Sequence, residues 1–390
     1  MKPPLSGLRI LSLEEYGVGP FASQLLADLG ADVVKIENPS RGGDSSRHVP
    51  PHQVGNDSLY FESLNRRKRS VALDMKSEEG RRTFHELVET ADAVLNNFRG
   101  TTATALGLRY ADLRHLNRKI VCCSASGWGI DNPRAGDPAY DYLLQAYTGN
   151  MALTGEPGQP PARSATPWVD MSTGFAAALG LLTGVWSARS SGEGCDVDVS
   201  MVDVAMSQWT YMATWYLSAG TNQERQTMSR HPSVVPSQLF KSSDGYIVIM
   251  PQTESFWRGL CELLNKSELI EDERFMTMKD RQVHKEELVS ILSPIFETRT
   301  SDDWVSYLGE RIPVGKVNSF SEAMEMYAAE YPSQVLEWDH DVLGTVRAID
   351  CPIRVSTGRT TLRPPPRLGE HTADVHRPLE PPSDDVLNNT

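Results

Sequence analysis

At 390 residues, 39% hydrophobic and 23% charged, the chain has the make-up of an ordinary globular protein with one large domain and a smaller one, and no bias toward disorder or fibre. A formal net charge of −13 repels polyphosphate and no basic stripe offsets it, which excludes nucleic acid as a partner. Five cysteines without CxxC spacing argue for reduced thiols, and nine histidines without paired spacing predict no metal.

No apolar run reads as long enough to span a bilayer, and Met1-Lys2-Pro3-Pro4 leads into a strand without an apolar leader. A soluble, cytoplasmic protein with no membrane partner is expected. Leu8 to Leu13 reads as a short buried strand, Phe21 to Leu29 as a helix closed by Gly30, and Ala31 to Glu37 as a second strand. This unit implies a parallel sheet with a right-handed crossover. Its turn, Gly17-Val18-Gly19-Pro20-Phe21-Ala22, fits G-x-G-x-x-A, with Glu37 where a dinucleotide enzyme binds a ribose hydroxyl. Against an NAD-dependent dehydrogenase, Pro20 removes a backbone N–H from the turn that would hold the pyrophosphate.

Asn38 to Asn56 reads as an exposed loop offering Arg41 and Arg47 to anions. Asn65-Arg66-Arg67-Lys68-Arg69 is a compact basic cluster, either a solvated approach to the strand Ser70 to Asp74 or a seat for phosphates. Ser77 caps an amphipathic helix that runs to Thr90. Ala91 to Leu95 is the next strand and delivers Asn96-Asn97-Phe98-Arg99-Gly100 at its C-terminal end, where ligands sit in open parallel sheets. With the strand Ile120 to Ser126, four alternating units point to a doubly wound α/β sheet.

After Asp137-Pro138-Ala139-Tyr140-Asp141 a helix runs through Gln145 and Ala146 to a tight turn at Thr154 to Gly158. Pro167 to Gly174 then sets Asp170 just before a helix of Ala, Leu and Gly, Phe175 to Val185, expected to be buried on most sides. Asp170 reads as an N-cap. That does not exclude a nucleophile, because a carboxylate against a helix N-terminus stays ionised. Asp196 to Ser200 is a strand, and Met201 to Trp215 a helix whose aromatic stripe is core or subunit contact. Composition marks a large domain over 1–220, a linker over 221–235, a smaller α+β domain over 236–317 opened by a hairpin at Asp244-Gly245, a second linker over 318–341, and a Pro-rich segment over 342–390 whose polar tail frays.

Gly7-Leu8-Arg9-Ile10-Leu11, Leu26 to Glu37, Asn65 to Ser70, Leu73-Asp74-Met75-Lys76, Asn97-Phe98-Arg99, Tyr140-Asp141, Thr154-Gly155, Asp170 and Leu368-Gly369-Glu370-His371-Thr372 occur in one order. In these the chain resembles the family III CoA transferases, the group of formyl-CoA transferase, carnitine CoA-transferase and alpha-methylacyl-CoA racemase, over nearly its whole length. The resemblance implies a Rossmann-like large domain built from both chain ends, with 342–390 returning to it, a small domain, and an interlocked homodimer. It places the nucleophile on Asp170 and CoA contacts on Lys76, Asn97, Phe98 and Tyr140. Arg47 and Arg99 join them on charge grounds, and Asn38 is counted with the same site. The implied activity moves CoA from an acyl-CoA donor to a carboxylic acid through an aspartyl anhydride and an aspartyl-CoA thioester, with CoA as substrate and no tightly bound cofactor.

The chain departs from formyl-CoA transferase in having Gly17 for a glutamine, Asn38 for an arginine and no glycine-run loop between Gly220 and Gly245, so formate and oxalate chemistry is not implied. Two further alternatives stand beside the dehydrogenase. A racemase pairs the aspartate with a histidine, but Pro138 aligns there and Asp137 to Ala146 holds none. A silent CoA-binding subunit could dispense with Asp170, which this chain keeps.

Overall fold

The computed structural model describes residues 2–358 and 360–376; the tail expected to fray, 377–390, lies outside them. The chain divides into two compact units, one of residues up to 148, 164–210 and from 331 onward, the other of 149–163 and 211–330. In the first unit, strand β1 (Arg9–Leu13), helix α1 (Val18–Asp28), β2 (Asp32–Glu37), α2 (Leu59–Leu64), β3 (Arg69–Ala72), α3 (Glu78–Val88), β4 (Ala93–Asn96), β5 (Val121–Ser126), α4 (Asp141–Tyr147), α5 (Trp168–Ser191), β6 (Cys195–Ser200) and α6 (Met201–Ser207) follow in order. The six strands form one sheet in the order β3-β2-β1-β4-β5-β6, parallel throughout. This doubly wound order reverses direction between β1 and β4, so a crevice opens outside the carboxyl ends of those strands. Strands β1, β2, β4 and β5 are buried along their whole length, which is why their apolar residues show no alternation, and the charged residues of β2, Asp32, Lys35 and Glu37, are buried as ion pairs.

Helix α5 is the central packing element, and it lies close to its neighbours because it is built of small residues. A Cβ at Gly174 would come 2.7 Å from the Phe21 ring, and one at Gly184 would come 2.7 Å from Val121 Cγ1. Two expectations are corrected here. The helix is 24 residues long, apolar enough by length and composition to cross a membrane, although Val169, Ala177, Leu181 and Val185 belong to the core of this unit. Nor is it buried on most sides: Leu179 is 68% exposed and Trp186 76%. The expected single helix Met201 to Trp215 is two, α6 and α7 (Thr210–Ala219), broken where the Trp209 indole donates to the Thr148 carbonyl at 2.9 Å and Thr210 turns to φ 42°.

The second unit carries the antiparallel sheet β9-β8-β7, where β7 is Gln238–Lys241, β8 Tyr246–Ile249 and β9 Val314–Lys316. Its core gathers Phe240, Trp257, Leu288, Phe296 and Trp304 from strands and helices, an α+β arrangement. Residues 149–163, read as part of the large domain, sit in this unit because the Arg225 guanidinium donates to the carbonyls of Ala152, Glu156, Gln159 and Pro160. The segment read as a linker over 318–341 carries the helix Phe320–Glu330 and the strand Val335–His340. Downstream, the Arg67 N–H donates to Arg363 O at 2.9 Å and the His371 N–H to Ser70 O at 2.9 Å. These bonds place the residues around 363–371 along β3 of the first unit.

Candidate active site

The loop Glu14–Gly17 leaves β1 at the crevice and is held from three sides. The Asn97 amide accepts from the Glu15 N–H at 3.0 Å and donates to the Glu15 carbonyl at 2.7 Å. The Tyr16 N–H donates to Asp44 Oδ1 at 3.0 Å, and Lys35 Nζ donates to the Glu14 carbonyl at 3.0 Å while paired with Asp44 at 2.7 Å. Lys68 Nζ lies 2.9 Å from Glu14 Oε1, with both side chains fully buried. Burial lowers the Lys68 ammonium to about 8, the Glu14 charge opposing it. Buried ions so paired fix geometry more than they stabilise. What they hold includes Tyr16 at φ 72°, a left-handed backbone that strains a non-glycine residue. They also hold Gly17 against Asp170, so close that a Cβ on Gly17 would stand 2.6 Å from Asp170 Oδ2.

Asp170 is the third residue of α5, not its N-cap, which is Pro167. The first-turn donors go elsewhere: Val169 N–H donates to Asp141 Oδ2 at 2.8 Å, Asp170 N–H to the same oxygen at 3.2 Å, and Met171 N–H to Pro167 O at 3.1 Å. Among the described residues no group donates to the Asp170 carboxylate. Burial therefore pushes its carboxyl up to about 7, with the Asp141 charge adding to the rise. The expectation that the helix end keeps it ionised is corrected, because Asp141 intercepts the N–H groups that would do so.

Asp170 lines a cavity of about 950 Å³ at the carboxyl ends of β1 to β5, with Lys76, Asn97, Phe98, Arg99, Tyr140 and Asn38 also in its wall. Seven of the eight residues expected at the site thus come together. The eighth does not: Arg47 is buried, its guanidinium bidentate to Glu37 at 2.8 Å and 2.8 Å and bound to the Pro366 carbonyl, with the Phe61 ring 3.6 Å from its Cζ. Arg47 is corrected from an exposed loop cation to an internal one. The cluster at 65–69 is corrected in the same way, since Arg66 and Arg67 pair with Asp28, Lys68 with Glu14 and Arg69 with Asp32. Glu37, engaged by Arg47, Ser70 and the Asp44 N–H, is not free to take a ribose, which removes the dinucleotide reading of its turn.

The cations that remain on the cavity are Arg41, Lys76 and Arg99. Among the described residues none of their side chains makes a hydrogen bond or ion pair. Asn38 and Asn97 face the cavity with their amides already engaged, Asn38 Oδ1 capping the turn at Ser40 at 2.9 Å. Arg41 was legible from the sequence only as a loop cation, Gly17 only as part of a dinucleotide-like turn and as a departure from formyl-CoA transferase, and Tyr60 not at all. Tyr60 packs 4.9 Å from the Tyr16 ring, and burial, with Tyr16 and Asp170 nearby, holds its phenol protonated. Asp141 carried a sequence signal through the Tyr140-Asp141 pair, as part of the resemblance.

The profile described as CoA-transferase family III matches residues 5–372. The chain belongs to this family. It is 33% identical over 386 residues to a succinate–glutarate CoA-transferase of Agrobacterium fabrum, covering 97% of this chain and 96% of the relative. It is 32% identical to the human succinyl-CoA:glutarate CoA-transferase, covering 95% and 85%, and 32% to an acetyl-CoA:oxalate CoA-transferase of Acetobacter aceti, covering 83% and 83%. Among solved structures, a CAIB/BAIF family protein of Brucella suis superposes with a TM-score of 0.80 at 30% identity, covering 96% of this chain and 98% of the other. This family III chain is accordingly a CoA-transferase that uses CoA thioesters as substrates.

Proposed function

We propose that this CoA-transferase works through covalent catalysis at Asp170, exchanging CoA between an acyl-CoA donor and a small carboxylic acid. The observation that carries the reading is a carboxylate without hydrogen-bond partners in the wall of a cavity whose cations, Arg41, Lys76 and Arg99, are unpaired. Ionised Asp170 attacks the donor thioester carbonyl; a C–O bond forms, the C–S bond breaks, and CoA leaves as thiolate, giving a mixed anhydride. The thiolate attacks the aspartyl carbonyl and expels the donor acid, leaving an aspartyl-CoA thioester. The acceptor carboxylate displaces CoA to form a second anhydride, and the thiolate attacks its acyl carbon, releasing the new acyl-CoA and free Asp170. Each step exchanges one activated acyl group for another, so none needs a metal or redox partner. Arg41, Lys76 and Arg99 hold the CoA phosphates, and Phe98 and Tyr140 flank the nucleotide. The relatives named for succinate, glutarate, oxalate and mesaconate support short dicarboxylates as the first acids to test, oxalate included despite the departures at Gly17 and Asn38.

A homodimer accompanies this reading. The outer face of α5 shows Phe175, Leu179 and Trp186 to solvent, and helices α7 and Phe320–Glu330 bury no residue at all within the chain, surfaces that a second copy covers. Mass spectrometry of the protein with a panel of acyl-CoA donors and free carboxylates tests the chemistry. The expected result is a CoA adduct on Asp170 and a new acyl-CoA that depends on the acceptor. Transfer retained in Asp170→Ala, or deuterium wash-in at the alpha carbon of a 2-methylacyl-CoA without acceptor, refutes it.

A further inference from the structure

We propose that Asp141 is a positioning residue for Asp170: it anchors the first turn of α5 through that helix's own N–H groups and sets its charge beside the carboxylate. The inference rests on the covalent role proposed for Asp170. Asp141 is the first residue of α4 and is 5% exposed. Its Oδ2 takes the N–H groups of both Val169 and Asp170, and its Oδ1 takes the Gln145 side-chain N–H at 2.5 Å. Gln145 is fully buried and is itself fixed, accepting from the Ser164 N–H at 2.9 Å. A carboxylate from a separate segment thus does what an N-cap does, and does it on the peptide that carries the nucleophile.

Two consequences follow from this placement. The nucleophile's Cα cannot drift while Asp141 holds its N–H, which keeps Asp170 Oδ2 against Gly17. Because Asp141 occupies the helix-end donors, the Asp170 carboxylate gains nothing from them, and the nearby like charge adds to the rise that burial causes. Tyr60 on α2 feels the Asp170 charge, and the cavity that Asp170 lines also carries Glu14, Glu15, Tyr16, Glu37, Arg41, Asp44, Asp74, Lys76, Arg99, Asp137 and Tyr140, while α4 adds Tyr142 and Tyr147. Of the elements packed on α5, α1 carries no ionisable side chain before Asp28 and β4 none. Strand β5 carries only thiols, while β6 and α6 carry Cys195, Asp196, Asp198 and Asp203. Among all these, Asp141 is the one whose charge acts on Asp170.

The test reads Asp170 without requiring turnover. A water-soluble carbodiimide with an amine trap labels protonated carboxyls, and peptide mass spectrometry reports labelling of Asp170 against pH. In the wild type the midpoint is expected near 7. In Asp141→Asn, which keeps an acceptor for the two N–H groups and removes the charge, the midpoint is expected to fall by about one unit. The acidic limb of the pH–kcat profile should fall with it. Gln145→Leu, which removes the bond that orients Asp141 together with the one from the Ser164 N–H, should move the midpoint the same way by about half a unit. It decides the matter if Asp141→Asn does not accumulate as folded protein. A wild-type midpoint in whichever of these variants folds overturns the proposal. Absent turnover in the wild type, with the midpoint shifted in Asp141→Asn, would fault the transferase mechanism instead and leave the role of Asp141 standing.

Discussion

An ionised Asp170 is a burden on the fold, and removing its charge should stabilise the protein in a pH-dependent way. Its carboxyl is raised from 3.8 to about 7. A group raised on folding contributes stability that is fully present below its unfolded value, near 3.8, and lost as pH rises through about 7. At about 1.36 kcal/mol per unit the full shift corresponds to roughly 4 kcal/mol. Water reaching a cavity-lining carboxylate halves that to about 2 kcal/mol. Asp170→Asn keeps the shape and drops the charge, so it should be more stable than wild type by about 2 kcal/mol at pH 8, by under about 1 kcal/mol at pH 5, and by nothing below about pH 4. In thermal melts this appears as a gain of about 4 °C at pH 8 that shrinks on acidification. A gain that is absent at pH 8, or the same at every pH, would refute the argument that Asp170 is held without donors.

The same carboxyl should govern turnover, with kcat falling about tenfold per pH unit below pH 7 because only the ionised form attacks; a flat profile from pH 5 to pH 8 would contradict it. Gly17→Ala puts a methyl 2.6 Å from Asp170 Oδ2 and should lower kcat about a hundredfold with KM for CoA little changed, as steady-state kinetics would report. Arg47→Ala breaks a buried pair with Glu37 and should cost about 3–5 kcal/mol in denaturant unfolding. Arg41→Ala, Lys76→Ala and Arg99→Ala should fold normally and each raise KM for CoA about tenfold; an unchanged KM in all three would move the phosphates elsewhere.

What the sequence determined by itself is local. The apolar residues of runs such as Ile10 to Leu13 and Ala93 to Leu95 form strands that are buried on both faces, and Ser77 starts a helix because its hydroxyl takes the Gly80 N–H at 2.9 Å. Strands alternating with helices force a parallel sheet, and a parallel sheet delivers Asn97, Phe98 and Arg99 to a carboxyl end where a cavity opens. Those steps need nothing beyond neighbouring residues and the handedness of a crossover.

The fate of the charges was decided by the tertiary structure alone. Arg47 and Arg41 sit six residues apart in one loop with the same chemistry, yet Arg47 meets Glu37 in the interior and Arg41 stays on the cavity. The basic run at 65–69 looked like a phosphate seat because its partners, Asp28, Asp32 and Glu14, lie 37 to 54 residues earlier in the chain. Asp170 reads as an N-cap from its own neighbours, but Asp141, from a segment 29 residues away, takes the helix-end donors. Charge is written in the sequence, whereas its state depends on desolvation and on what lies within a few ångströms, and the fold sets both.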